Sequence, residues 1–309
     1  MGKREARTSL ESSSLTMTYY VYLMSSVILM ASSFVAAKSL LMAGAPPTGL
    51  AATRFIVAGI LAVIFLALRR SLQAPKSARE LFGVSLIGAL QTAVLFGTGF
   101  LAMRHLSAAT VALFTLTMPL WVVLFDSVLN KKPPGTPTLV GIFLGVVGVG
   151  LVVQDGISIV GLSFFKWYLL PLAGAVSWAC ATIYTKRSAL PLSGWSLNAW
   201  QMLIGGLVLA LLSWLLALPA LHLSSLSDWL WFGWLVVPGS IVSFGLWFAA
   251  LNIGGATVTS GYLFLVPFFT ALLSVPILDA RFSASQLVGG IAVGLAVWLI
   301  SRQPSPSGD

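Results

Sequence analysis

Phe96-Gly97-Thr98-Gly99-Phe100-Leu101-Ala102 recurs in outline 148 residues later as Phe244-Gly245-Leu246-Trp247-Phe248-Ala249-Ala250. Both stretches carry Phe-Gly, a Phe three residues on and an Ala two beyond that. The same offset pairs Pro119 with Pro267, Gly141 with Gly289 and Lys38 with Lys186. One constant offset held over so much chain marks a duplicated half. The period is far too long for a solenoid, whose units repeat every roughly 20–50 residues.

Water is not the main solvent of either half. The 309 residues are 58% hydrophobic and 8% charged, with a mean hydropathy of +0.98, whereas soluble domains carry roughly 25% charged residues. The apolar residues form ten runs, near 19–42, 49–68, 81–103, 106–129, 138–154, 166–185, 194–217, 229–251, 256–278 and 285–301. About 20 such residues in a helix cross about 30 Å of hydrocarbon. Short breaks such as Lys131-Lys132-Pro133-Pro134-Gly135 separate the runs. A porin-like barrel is excluded, because it needs alternating strands of about ten residues.

The expected fold is therefore an all-α membrane protein of ten transmembrane helices, arranged as two five-helix inverted repeats. Five is odd, so the second copy starts on the opposite face from the first. That architecture belongs to carriers that bind substrate near the midplane between the halves and alternate access by rocking one half on the other. The expected division is a cytoplasmic N-terminal tail over 1–18, polar and disordered at its start, and a first repeat over 19–154. An external linker over 155–165, a second repeat over 166–301 and a cytoplasmic C-terminal tail over 302–309 follow.

The net charge of +9 invites a nucleic-acid reading, but the basic residues sit between the apolar runs. Apart from Lys38 and Arg54, twelve Lys/Arg fall on one set of alternating loops and three, Arg104, Lys166 and Arg281, on the other. This positive-inside asymmetry places both termini in the cytoplasm, makes the lipid bilayer the partner surface and leaves no nucleic-acid role. The single cysteine, Cys180, excludes a disulfide framework and a Cys-based metal site. No metal or cofactor is expected. His105 and His222 read as solvated loop histidines.

An ordered set of motifs resembles the ten-helix EamA-type drug/metabolite transporters. The stretch Phe34-Val35-Ala36-Ala37-Lys38, then Pro47 with Thr53-Arg54-Phe55, is similar to the family's first two helices. Leu101-Ala102-Met103-Arg104-His105-Leu106-Ser107-Ala108-Ala109 with Thr117-Met118-Pro119 resembles its third-to-fourth passage, and Ala250 to Ala256 with Leu265-Val266-Pro267 the counterpart in the second half. The chain departs from the pattern at Met30, where the family often has Trp, and at Lys131-Lys132 and Asp279-Ala280, where it often has Gly-Glu. The abundance of Trp makes it look similar to bacterial amino-acid exporters of the aromatic, YddG type. The resemblance implies an exporter of small metabolites in the bacterial inner membrane, with neutral or aromatic amino acids as cargo. Efflux of organic cations is the alternative.

Several residues are candidates for function, each beside a plainer structural reading. Pro119, Pro238 and Pro267 interrupt helices at or near mid-span, as hinges or as static kinks. Gln91, Thr92, Thr115, Gln201 and Ser240 place uncharged donors and acceptors at central depth, for a substrate cavity or for bonds between helices. Trp178, Phe244 and Tyr262 are aromatic wall candidates, or packing. Lys38 and Arg54 lie in the outer third of spans 1 and 2, to meet a carboxylate, cap neighbouring helices or snorkel to the interface. Asp126, the only acid well inside a span, is either a proton-coupling group or an interfacial partner of Lys131. Gly141-x-x-x-Gly145 and Gly290-x-x-x-Gly294 make small-residue faces, for a homodimer or for packing within one half.

Other function classes lack their residues. No HExxH, GxSxG elbow, Walker loop or pair of intramembrane aspartates occurs, so neither an intramembrane enzyme nor an ATP-driven pump is expected within this chain. A channel lacks a ring-forming filter sequence.

Overall fold

A computed structural model describes residues 2–102, 105, 111, 114–115, 117–153, 165–278 and 284–301. Among them there is no strand. The helices in chain order are α1 (Gly2–Met42, apolar over Thr16–Met42), α2 (Pro47–Leu68), α3 (Ala78–Ala102), α4 (Met118–Asn130), α5 (Thr136–Val153), α6 (Phe165–Ser188), α7 (Gly194–Leu215), α8 (Leu226–Gly254), α9 (Ala256–Leu278) and α10 (Ala284–Ser301). Seven are long and apolar enough to cross a membrane, and shorter apolar helices occupy the places of the other three.

The sequence offset is a structural offset. Moving the starts of α2, α3, α4 and α5 forward by 148 lands within one residue of Gly194, Leu226, Leu265 and Ala284, where helical segments of the second half begin. The apolar start of α1 at Thr16 maps onto α6 in the same way. The inversion is visible where equivalent helices touch. A Cβ on Gly59 would fall 2.6 Å from the Leu203 backbone, one on Gly206 2.7 Å from the Ile56 nitrogen, and one on Gly49 2.7 Å from the Pro219 carbonyl. Contacts that rise along α2 while falling along α7 mean that these repeat-equivalent helices run antiparallel. Without side chains at those glycines, the two backbones approach closely at the centre of the bundle.

Local sequence fixes the ends. Pro47 starts α2, where its missing N–H is one of the unbonded donors of any helix start. Ser77, Ser193 and Ser225 cap α3, α7 and α8 by accepting from Glu80, Ser196 and Asp228 backbone N–H groups, and Asp228 completes a capping box.

Two expectations change. Residues 2–15 continue α1 as helix rather than forming a disordered tail, since Lys3, Arg4, Glu5, Ala6 and Arg7 are good helix formers that extend an existing ladder. The small-residue face of α5 packs across the two halves rather than within one: a Cβ on Gly141 would meet Ile300 and Ala296 of α10, and one on Gly145 the Phe264 ring. The linker over 155–164 and the tail over 302–309 lie outside the described residues, as do Met103, Arg104, Leu106 to Thr110 and Asp279 to Ser283.

Replacing Gly206 by Val drives a side chain into the α2 backbone and is expected to destabilise by about 1–3 kcal/mol, the usual range for overpacking. A Cβ on Gly150 meets nothing within 4 Å, so Gly150→Ala is expected to leave the melting temperature in detergent unchanged. Equal melting temperatures for the two variants would contradict the packing described.

Candidate functional site

The two copies of the Phe-Gly stretch meet. Phe96 of α3 and Phe244 of α8 lie with ring centroids 6.4 Å apart, and Phe55 of α2 joins them at 4.5 Å and 6.5 Å. Beside this trio opens a cavity of about 100 Å³, walled by Phe34, Phe96, Phe100, Trp178 and Phe244. Its polar lining comes from Ser33, Lys38, Arg54 and Thr115, and no carboxylate lines it among the described residues.

Each half breaks one helix beside the cavity. Residues Ala89–Val94 of α3 and Val237–Val242 of α8 form single π-turns, again 148 residues apart. In α8 the cause is local: Pro238 has no N–H to donate to the carbonyl four residues earlier. A π-turn loosens the backbone ladder, and its carbonyls need other donors inside a membrane bundle. The α8 turn finds them in Arg54, whose Nη2 donates to the Gly239 carbonyl at 2.8 Å while Nε donates to Ser240 Oγ at 2.7 Å. Ser240 passes the chain on to the Leu235 carbonyl at 2.8 Å, and Ser243 Oγ adds a second donor to Gly239 at 2.7 Å.

The α3 turn is held differently. Ser177 Oγ of α6 donates to the Leu90 carbonyl at 2.9 Å, and Thr92 Oγ1 donates to Gln201 Oε1 of α7 at 2.7 Å. Gln201 Nε2 donates to Asn198 Oδ1 at 3.0 Å, and Asn198 Nδ2 to the Ile241 carbonyl at 3.0 Å. Each π-turn is thus tied to the other repeat, one by a guanidinium and one by a neutral amide chain.

Arg54 is 4% exposed yet forms part of the cavity wall. Its guanidinium carbon sits 4.9 Å from the Phe55 centroid and 5.6 Å from the Phe96 centroid, so two aromatic faces help to hold the buried charge. Lys38 lines the same cavity at its exposed mouth.

The sequence-predicted residues therefore divide. Thr115, Trp178, Phe244, Lys38 and Arg54 line the cavity. Thr92, Gln201 and Ser240 lie outside its lining and bond the halves together, because each finds a closer partner on a neighbouring helix. Tyr262 lies elsewhere, 6.2 Å from Tyr20 ring to ring, in a turn of 3-10 helix over Tyr262–Phe264. That turn directly precedes the segment Leu265–Leu278 containing Pro267, and Pro119 likewise stands in the first turn of α4 after the turn at Thr117. Gln91 is 1% exposed beneath the cavity, and neither amide atom has a hydrogen-bond partner among the described residues. Asn198 and Phe100 were missed as candidates, although Asn198 stands one helical turn before Gln201 and Phe100 belongs to the repeated stretch.

The end of the bundle away from the cavity is fastened by polar bonds. The α2–α3 loop clasps the second half: Gln73 receives the Ser193 N–H on its side-chain oxygen and the Trp200 indole N–H on its carbonyl at 3.1 Å. Its own N–H goes to Ser196 Oγ at 3.0 Å. Asp126 accepts from Asn130 at 2.9 Å and faces Thr257 at 3.4 Å, so its partners are these rather than Lys131, which forms the left-handed C-cap of α4. His105 is exposed, as expected of a loop histidine, and its ring stacks on Trp167 at 3.6 Å between centroids.

Among the described residues, a helical bundle of two inverted halves enclosing a cavity has the architecture of membrane carriers. The sequence pattern of the EamA-like transporter family matches residues 17–154 and again 165–302, and the chain belongs to that family. It is 31% identical to the protein named "Uncharacterized inner membrane transporter YedA" of Escherichia coli (strain K12), over 74% of this chain and 72% of that one. It is also 31% identical to a "Probable biotin transporter" of Pseudomonas aeruginosa, over 53% and 55%. A solved crystal structure shares the fold with a TM-score of 0.77 at 20% identity, over 93% of this chain and 96% of that one.

Thr92→Val strands the Gln201 acceptor inside the bundle and is expected to lower stability by about 1–3 kcal/mol, the penalty of a buried unpaired group. Changing Gln201 to Leu as well removes that acceptor while releasing Asn198 Oδ1, so the double variant should lose less than the sum of the two single changes. A double variant whose melting temperature falls by the sum of the two single changes would refute the pairing.

Proposed function

We propose that this transporter is a secondary carrier that exports small carboxylate-bearing metabolites, foremost neutral and aromatic amino acids, across the bacterial cytoplasmic membrane by alternating access. The observation that carries the reading is the chemistry of the cavity. Aromatic walls suit an apolar side chain, while Arg54 and Lys38 offer positive charge to a carboxylate. Arg54 has donors left over after its two protein bonds, since a guanidinium carries five N–H groups. The same two cations disfavour organic cations as cargo, because a cation would enter against like charge with no acid among the described lining residues.

With the Lys- and Arg-rich loops on the cytoplasmic side, the cavity lies in the outer half and the Gln73 clasp closes the inner end. A carboxylate reaching Arg54 would compete with the Gly239 carbonyl for the guanidinium. Binding and the hold on the α8 π-turn are then linked through one side chain, which gives the cargo a differential grip on two conformations. The name of the Pseudomonas aeruginosa relative brings biotin, also a carboxylate on a largely apolar body, into the same chemical class as a second cargo to test.

Purified protein in liposomes is expected to exchange labelled phenylalanine or tryptophan, and to leave tetraphenylphosphonium where it is. Arg54→Met should reduce that exchange by about tenfold or more, and Arg54→Lys should not restore it, since an ammonium cannot reproduce the forked donor geometry. Cation movement without movement of any amino acid or of biotin would overturn the reading.

A further inference from the structure

Beneath the cavity lies a group of polar atoms that the fold leaves unserved. Gln91 Oε1 and Nε2, Trp178 Nε1, Thr182 Oγ1 and Trp247 Nε1 are all buried without a hydrogen-bond partner among the described residues. Buried polar groups in native proteins nearly always have partners, and each exception calls for an explanation. Leaving one unserved costs about 1–3 kcal/mol, so a cluster of them is not a neutral packing choice.

The atoms belong to one locality. Trp178 and Trp247 lie with ring centroids 6.1 Å apart. Thr182 follows Trp178 by one turn on α6, on the same face. The Ser177 bond to the Leu90 carbonyl pins that part of α6 against the α3 π-turn that carries Gln91. Trp178 is itself a cavity wall, and Leu95, one turn above Gln91 on α3, is another. The group therefore continues the cavity inward from Arg54.

We propose that Gln91, Trp178, Thr182 and Trp247 form a second, inner station on the transport path, which receives the zwitterionic head group of an α-amino acid after it leaves Arg54. The ligand class follows from the donor set and rests on the function proposed above. A primary amide sets an acceptor beside a donor, matching an ammonium and a carboxylate that share one carbon. Two indole N–H groups add donors for the carboxylate, and the Thr182 hydroxyl serves either group. No formal charge is needed there, so the station holds the zwitterion less tightly than the guanidinium and lets it move on. In the state described here the station is closed, and the two π-turns, one of them carrying Gln91 and the other five residues before Trp247, are the places where α3 and α8 can change register.

The test uses the full-length protein in liposomes with Cys180 replaced by Ala. Gln91→Leu and Thr182→Val are expected to slow amino-acid exchange by about tenfold or more while changing equilibrium binding by no more than about twofold, the pattern of a step after binding. Because Gln91→Leu removes an unserved amide, its melting temperature should equal or exceed that of the parent. Exchange at the parent rate in both variants would overturn the station. A second readout does not depend on cargo: Gln91→Cys should be modified to completion by a membrane-impermeant methanethiosulfonate, more slowly than Phe96→Cys in the outer cavity. Full modification of Phe96→Cys with none of Gln91→Cys would also overturn it. Modification of Gln91→Cys in a protein that exchanges no amino acid would support the path and overturn the zwitterion as its cargo, separating this inference from the one it rests on.

Discussion

Inside a bilayer a helix that loses register must find new partners for its backbone, because lipid offers none. Here both repeats accept that constraint at the same place, with π-turns at Ala89–Val94 and Val237–Val242. The bond from Arg54 to the Gly239 carbonyl is the clearest settlement of it. It takes a charge that would be expensive in the membrane and a carbonyl that would be unserved, and lets each satisfy the other across the interface of the two halves. The contact fixes that charge in the cavity wall and holds the turn that Pro238 opens in α8, while the missing side chain of Gly239 lets α1 come close at Ser33.

The antiparallel crossing of α2 and α7 supplies the rest of the frame. Glycines at 49, 59 and 206 remove the side chains that would separate these helices, so the inverted halves touch backbone to backbone along their shared axis. The aromatic rings of Phe55, Phe96 and Phe244 pack together beside the cavity. The hydrogen-bonded clasp at Gln73 closes the end away from the cavity. A close-packed core and a set of exchangeable polar bonds are thus segregated within one bundle. Packing of this kind resists gradual deformation, so a change of access is expected to break and remake the polar bonds rather than bend the core.

Much of the frame could be read from the chain because duplication turns one dimension into two: the offset of 148 residues carried the helix boundaries of one half onto the other, and the odd span count carried the inversion. The break in α8 was legible in Pro238-Gly239-Ser240. Its twin in α3 was legible only through the repeat, since Leu90-Gln91-Thr92 contains no residue that forbids an ordinary helix. Partners of polar side chains were not legible. Gln201 and Ser240 looked alike as cavity residues, yet each is occupied by a group from the opposite half far away in sequence. Tyr262 likewise stands in a 3-10 turn beside Tyr20 and outside the cavity lining, a local geometry for which the sequence carries no signal.

The two ties between the halves match in position and differ in electrical character. Arg54 carries a full charge, whereas Thr92 and Gln201 carry none. A full charge displaced along the membrane normal does work against the transmembrane voltage, about 2.3 kcal/mol for each 100 mV crossed, while a neutral amide moved the same distance does almost none. The resting potential of a cell therefore pulls on one fastening and ignores its mirror image, so a molecule symmetrical in shape is polarised in its response to the field.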